Sequence, residues 1–165
     1  MPAPNQQLLP SVLDRLIDRQ PKRKTEEPDA HLISLKELKK LLERDLNILA
    51  QTHRASLAAV PANLTELRKS SFAFGVPEFT SFSVTNHDAS QLAEELEATI
   101  ERFEPRLQLV RVTVDKLDAN LGTISFFIDA YLNIEPAPEK VRFDATLPLH
   151  GQSLSVREHR TESDG

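Results

Sequence analysis

The chemistry open to this chain rests on charged side chains, because it contains no cysteine. Without thiols there is no disulfide framework, thiolate nucleophile or cysteine metal site. The histidines, His31, His53, His87, His150 and His159, are scattered, and none stands at ligand spacing from another, so no metal centre is expected. No Gly-x-Ser-x-Gly elbow is present to expose a nucleophilic serine. Gly75 lacks the second glycine and the lysine of a phosphate loop. What remains is the grouping Glu104-Pro105-Arg106. Glu104 closes a helical pattern, where a carboxylate meets the partial negative charge of a helix C-terminus. It would lie on the flank of the apolar stripe, not on the solvated back. Arg106 carries a planar fork suited to carboxylates. An ion pair at this junction, or one made with a partner protein, is one reading; two ordinary surface charges at a helix end is the other.

The elements that must position these residues are legible from periodicity. Residues 90–103 read as a helix, with Leu92, Leu96, Ile100 and Phe103 on one face and Glu94, Glu97 and Glu101 opposite. Pro105 cannot continue it and pushes Glu104 out of the helical region. Val110, Val112 and Val114 then alternate with Arg111 and Thr113 as a strand does. Residues 34–52 form the clearest helix: Ser34 and Glu37 fit a capping box, and Leu35, Leu38, Leu42, Leu46 and Leu49 make a stripe that Leu41 and Ile48 widen. Asp45 falls inside the widened arc. Buried there, it needs a cationic or hydrogen-bonding partner, and an arginine from elsewhere, such as Arg106, is a candidate; if Leu41 and Ile48 are rim residues, Asp45 is wet. Gly75-Val76-Pro77 marks a turn among Phe72, Phe74, Phe79 and Phe82, expected to fold over it as a satellite of the core. With four glycines in the chain, Gly75 is where backbone freedom is expected to be used.

Residues 124–134 alternate apolar and polar, residues 141–149 repeat the pattern after Pro136-Ala137-Pro138, and Leu154 and Val156 suggest a short edge. The fold class is therefore α+β: an antiparallel meander sheet covered on one face by two main helices, with an N-terminal docking helix.

At 165 residues the chain is long enough for one domain with a real core. The expected organisation is a helical docking segment over 1–20, a flexible linker over 21–33, the α+β domain over 34–158 and a disordered tail over 159–165. The docking segment carries Leu8, Leu9, Val12, Leu13, Leu16 and Ile17, with Ser11 as its cap. So short a helix is marginal alone, so it docks on its own domain or on another protein. The formal net charge of -5 argues against general nucleic-acid binding, which needs a basic face. The first thirty residues hold no long apolar run, so neither a signal peptide nor a membrane-spanning helix is expected.

Four short stretches, in order, resemble a known family: Leu13-Asp14-Arg15-Leu16, Arg44-Asp45-Leu46, Ser71 through Glu78, and, most specifically, Phe103-Glu104-Pro105-Arg106-Leu107. The chain resembles the TssE family of type VI secretion baseplate subunits, which is related to the contractile-phage wedge protein labelled "lysozyme-like". It departs from the family pattern at Phe74, where tyrosine is common, at Val76 and Glu78, which replace leucine and aspartate, and over residues 49–54. The resemblance implies a structural, cytoplasmic protein without cofactor. It would sit in the wedge with TssF and TssG, with TssK a further candidate partner, and present sheet edges on which a sheath of TssB and TssC begins to polymerise. It also implies protein-binding roles for Glu104, Pro105, Arg106, Leu13, Arg15 and Leu16, and structural roles for Asp45, Gly75 and Pro77.

The family's label invites a competing reading as a peptidoglycan hydrolase. That needs two carboxylates about 5–5.5 Å apart for retention or about 6.5–9.5 Å for inversion; Glu101 and Glu104 with Asp115 or Asp118 are the candidates. Glu101 shares a solvated face with Glu94 and Glu97, so nothing raises its pKa as a general acid requires. Sugar-stacking aromatics are scarce, with no tryptophan and Tyr131 the one tyrosine. The sequence is therefore read as that of a non-enzyme.

Overall fold

The computed structural model describes residues 8, 10–17, 22, 32–54, 60, 61, 63–77, 86–118, 120–148 and 153–159, and of residues 86 and 87 the backbone alone. Phe79 and Phe82, and the segment after His159, lie outside the described residues. The chain divides into two compact units, Met1–Leu42 and Glu43–Gly165.

In the first unit, helix α1 spans Val12–Leu16. The Asp14 amide donates to Ser11 Oγ at 3.2 Å, and that hydroxyl donates to Asp14 Oδ2 at 2.7 Å, a side-chain cap that satisfies one orphan donor of a very short helix. Leu8 is not part of this helix, against the sequence expectation. It pairs with Ile33 in an antiparallel bridge, its amide on the Ile33 carbonyl at 3.0 Å and the reverse bond at 2.9 Å. Pro10, which cannot donate an amide, separates the bridge from the helix. Helix α2, Leu35–Gln51, opens with the capping box: the Glu37 amide donates to Ser34 Oγ at 3.3 Å and the Ser34 amide to Glu37 Oε2 at 2.9 Å.

The second unit is built on a four-stranded antiparallel meander in the order β1-β2-β3-β4, with β1 Leu107–Asp118, β2 Thr123–Leu132, β3 Glu139–Pro148 and β4 Ser155–Glu158. The period of two puts Ile124, Phe126, Ile128, Ala130 and Leu132 of β2 on one buried face, beside Val141, Phe143, Ala145 and Leu147 of β3. The other face is polar: Arg142 forks onto Asp129 at 2.7 and 2.8 Å and lies 5.0 Å over the ring of Phe127.

Helix α4 (Asn86–Phe103) follows a short helix α3 (Thr65–Lys69) and a 3-10 turn at Ser71–Ala73. It begins four residues before Ser90, because Asp88 suits a first turn and residues 86–88 carry no apolar periodicity to reveal them. Leu96 and Ile100 of α4 line one small apolar pocket with Leu46, Leu49 and Ala50 of α2 and Ile128 and Val156 of the sheet. Both helices thus cover the same face. Ile48 of α2 does not join the core; it is half exposed. Phe72 is exposed as well, and of the expected aromatic satellite Phe74 alone packs among the described residues, edge-on to Phe103 at 5.3 Å.

Candidate functional site

The helix-to-strand junction is an ionic knot, in which Arg106 Nη1 alone of the guanidinium nitrogens is left buried without a hydrogen-bond partner among the described residues. The last helical bond runs from the Glu104 amide to the Ile100 carbonyl at 2.8 Å, and the Leu107 amide turns back to the Glu104 carbonyl at 3.1 Å. Between them Pro105 stops the helix. This tight turn folds Glu104, only 6 % exposed, onto its own neighbour. Arg106 Nε donates to Glu104 Oε1 at 2.6 Å, Nη2 to Oε2 at 2.5 Å, and the Arg106 amide to Oε1 at 3.2 Å. The same Nη2 reaches Asp45 Oδ2 on α2 at 2.6 Å, while Asp45 Oδ1 is held by Arg44 Nε and Nη2 at 2.8 and 2.6 Å. Two carboxylates and two guanidiniums therefore alternate across α2 and the junction, and their charges cancel.

Burial alone lowers the pKa of the Arg106 guanidinium. The hydrogen bonds and charges of Glu104 and Asp45 outweigh it and push the group above its ordinary range. Its main-chain carbonyl accepts from the Asn133 amide at 2.8 Å, tying the junction to the far end of β2. The knot thus sets the direction in which β1 leaves α4. Two residues into β1 the register with β2 shifts between Gln108 and Arg111; Leu109 there has a positive φ of 52° and is 78 % exposed.

The two rims of the sheet differ. The β4 ladder turns Val156 and Glu158 away from β3, as the His159 amide bonding inward to the Arg142 carbonyl shows. Three of those four outward groups are occupied. Asn47 on α2 accepts from the Val156 amide at 2.9 Å and donates to its carbonyl at 2.6 Å, and Glu43 accepts from the Glu158 amide at 3.2 Å. The primary amide of Asn47 thereby imitates a neighbouring strand. Asn47→Ala is expected to cost about 1–3 kcal/mol, the penalty for leaving two part-buried backbone groups unmade; urea unfolding measures it, and a change below a few tenths would show that water replaces the amide freely.

On β1 the outward direction is that of Val112 and Val114. The Val112 amide donates to Glu97 Oε2 of α4 at 2.9 Å, while nothing among the described residues bonds the outward amide of Val114. Glu97 was expected on the solvated back of α4. It lies instead on the helix flank, about 100° from Leu96, and β1 passes that flank. Asn47, Glu43 and Glu97 carry no mark in the sequence, since each side chain bonds main-chain groups of a distant element.

Leu13 and Leu16 are exposed on α1, as is Arg15. These three belong to the first unit, whereas Asp45, Gly75, Pro77, Glu104, Pro105 and Arg106 belong to the second. Gly75 has φ +103° and sits against the Thr52 carbonyl, in a parallel bridge where the Val76 amide donates to Thr52 at 2.8 Å and the Arg54 amide to Val76 at 2.9 Å. Pro77 follows, half-buried. Of the candidate hydrolytic carboxylates, Glu104 is taken up by Arg106. Asp118 is held below the usual carboxylate range by the hydrogen bond from Lys116 and by the amides of Leu121 and Asn120, the opposite of what a general acid needs. Among the described residues no cluster of His, Asp and Glu could hold a metal ion, and no helix is long and apolar enough to cross a membrane.

A sequence model of a family described as baseplate wedge protein gp25 matches residues 36–137, more than half of the chain. That span takes in Asp45, Gly75 and the whole Glu104–Arg106 junction and leaves out α1. No curated protein matches the chain.

Proposed function

Because the chain belongs to the baseplate wedge protein gp25 family, we propose that it serves as a TssE-like wedge subunit of a type VI secretion baseplate in the cytoplasm, where its β1 rim receives a strand from the contractile sheath. The structural baseplate role is that of the family. The finer reading, with TssF and TssG as wedge partners, TssK beside them and TssB and TssC as the sheath, rests on the chain's resemblance to TssE.

The observation that carries it is the asymmetry of the two sheet rims. An unpaired edge strand offers a row of donors and acceptors to another chain. Side chains of α2 close the β4 rim, which leaves β1 for strand addition. The Glu104–Arg106–Asp45 knot supports the same reading, because a rim that guides a growing sheath must keep one angle. Proline at an outward-facing edge position removes the donor without breaking the ladder on the other side. Val114→Pro is therefore expected to leave the chain folded, by circular dichroism, and to abolish sheath growth in cells. Normal sheath growth on folded Val114→Pro would exclude β1 as the acceptor.

The exposed apolar side chains of α1, Leu13 and Leu16 with Val12, form the proposed docking surface for TssF and TssG, with Arg15 beside them. Leu13→Glu combined with Leu16→Glu should release this chain from co-purified wedge subunits at least tenfold more readily, since each buried leucine contributes about 1.5–3 kcal/mol. Undiminished co-purification would place wedge binding elsewhere.

A further inference from the structure

We propose that Glu97 is a latch on the β1 rim, a carboxylate that occupies the Val112 amide until the carbonyl of an incoming strand displaces it; this rests on the reading of β1 as the strand acceptor. Glu97 rises from the flank of α4 and spans the rim. Its Oε2 accepts from the Val112 amide at 2.9 Å, and its Oε1 pairs with Arg111 Nη1, also at 2.9 Å. Arg111 and Val112 are adjacent in a strand, so their side chains stand on opposite faces of the sheet. The carboxylate reaches both because it wraps around the edge. The guanidinium end of this bridge is open to water, with 70 % of the Arg111 side chain exposed.

The latch covers a bounded landing place. Register shifts between Gln108 and Arg111 and between Val114 and Lys116 leave Arg111–Val114 as the regular stretch between them. Its outward groups are the amide and carbonyl of Val112 and of Val114. A carboxylate accepts hydrogen bonds and donates none. Glu97 can therefore stand in for one carbonyl of a neighbouring strand, but it satisfies neither outward carbonyl nor the second amide. An arriving strand exchanges one charge-assisted bond for a neutral one and gains the other three. Glu97 keeps Arg111 when it swings away, so its charge is not stranded.

Two consequences follow for partner choice. A segment making a single backbone bond gains nothing by displacing the latch, whereas one that ladders across Val112 and Val114 does. A second copy of this chain, presenting its own β1, would bring two Glu97 carboxylates to the same seam. Self-pairing must therefore release two charge-assisted bonds at once, where a partner strand without such a latch releases one. The latch thus guards an open edge against self-pairing, as inward-reaching charges do on the edges of other sheets, and admits an extended strand that carries no such latch.

The test uses the full-length chain as wild type, E97A, E97Q and E97A combined with V114P. Amide hydrogen exchange at Val112 and Val114 is followed by nuclear magnetic resonance at low concentration, and mass by sedimentation over a concentration series. In E97A, exchange at Val112 should quicken about tenfold, the loss of one hydrogen bond, while Val114 stays as it is in wild type. E97Q keeps an acceptor oxygen and should keep most of the protection. E97A should associate with rising concentration while wild type stays monomeric, and V114P should restore the monomer. Unchanged Val112 exchange in E97A would overturn the latch, and so would an E97A chain that stays monomeric across the series. Sheath growth on V114P judges the acceptor reading separately, so the two can fail independently.

Discussion

Arg106→Ala is expected to lower the stability of the folded chain by about 3 kcal/mol, at the low end of the range for breaking one side of a buried ion pair. The low end applies because the Arg106 side chain is 25 % exposed. The loss comes from what is left behind. Asp45 keeps Arg44, but Glu104 accepts three bonds from Arg106 and is almost fully buried. Without the guanidinium its carboxylate retains one of them, from the main-chain amide of residue 106. Removing both partners should cost less than removing one, so Arg106→Leu combined with Glu104→Leu should be more stable than Arg106→Ala alone. Lysine at 106 should fall between, since an ammonium cannot fork onto Glu104 while reaching Asp45. Urea unfolding of the four proteins with an unchanged slope measures these differences. A double variant as damaged as Arg106→Ala would mean that the position tolerates no change of shape and that the ion pair is incidental. The sign of the pH dependence follows from the raised pKa of Arg106. Its contribution is complete below the ordinary arginine range and is lost only as the pH rises through the still higher folded value, so alkaline conditions short of strong base should leave the knot intact.

The second large effect is expected at Gly75. An added Cβ would lie 2.2 Å from the Thr52 carbonyl oxygen and 2.8 Å from its carbon, on a backbone with φ +103°. Neither partner can step aside cheaply. The carbonyl in the way accepts the Val76 amide, and Val76 in turn accepts the Arg54 amide, so relief means opening the bridge that fastens the turn beneath Phe74. Strain of about 1–3 kcal/mol for the backbone adds to an overpacking cost of similar size. Gly75→Ala should therefore lose roughly 4 kcal/mol and melt on the order of 10 °C lower. A thermal scan in which Gly75→Ala matches wild type within about 2 °C would show that the turn can relax. Neither substitution touches the β1 rim, so loss of sheath growth in either would report on folding or angle and not on strand pairing.

Much of the fold is local in origin, and the local part was readable. Leucines at helical spacing make α2 and begin the stripe of α4, and apolar residues alternating with polar ones make β1, β2 and β3. Ser34 and Glu37 lie three residues apart, and proline at 105 admits no helical continuation. The resemblance to the wedge family rests on other short runs, chiefly residues 103–107 around that proline. The pairing of Glu104 with Arg106 was one of two local readings. That Asp45 joins them, across 61 residues, could be named as a candidate but not chosen.

What lay beyond the chain's own pattern is how its edges are finished. Periodicity places a side chain relative to its own axis and is silent about which main-chain groups of another element pass nearby. Asn47 closes β4 from 109 residues away, and Glu97 reaches a β1 amide although the helical wheel assigns it to solvent. Ile48 and Phe72 stay at the surface although Leu49 and Ala73, next to them in the chain, are buried. Runs of residue types decided the helices, the strands and the break between α4 and β1. Which rim of the sheet is sealed and which is held by a single carboxylate was decided only by assembly, because hydrogen bonds between a side chain and a distant backbone exist only after packing has brought the two together.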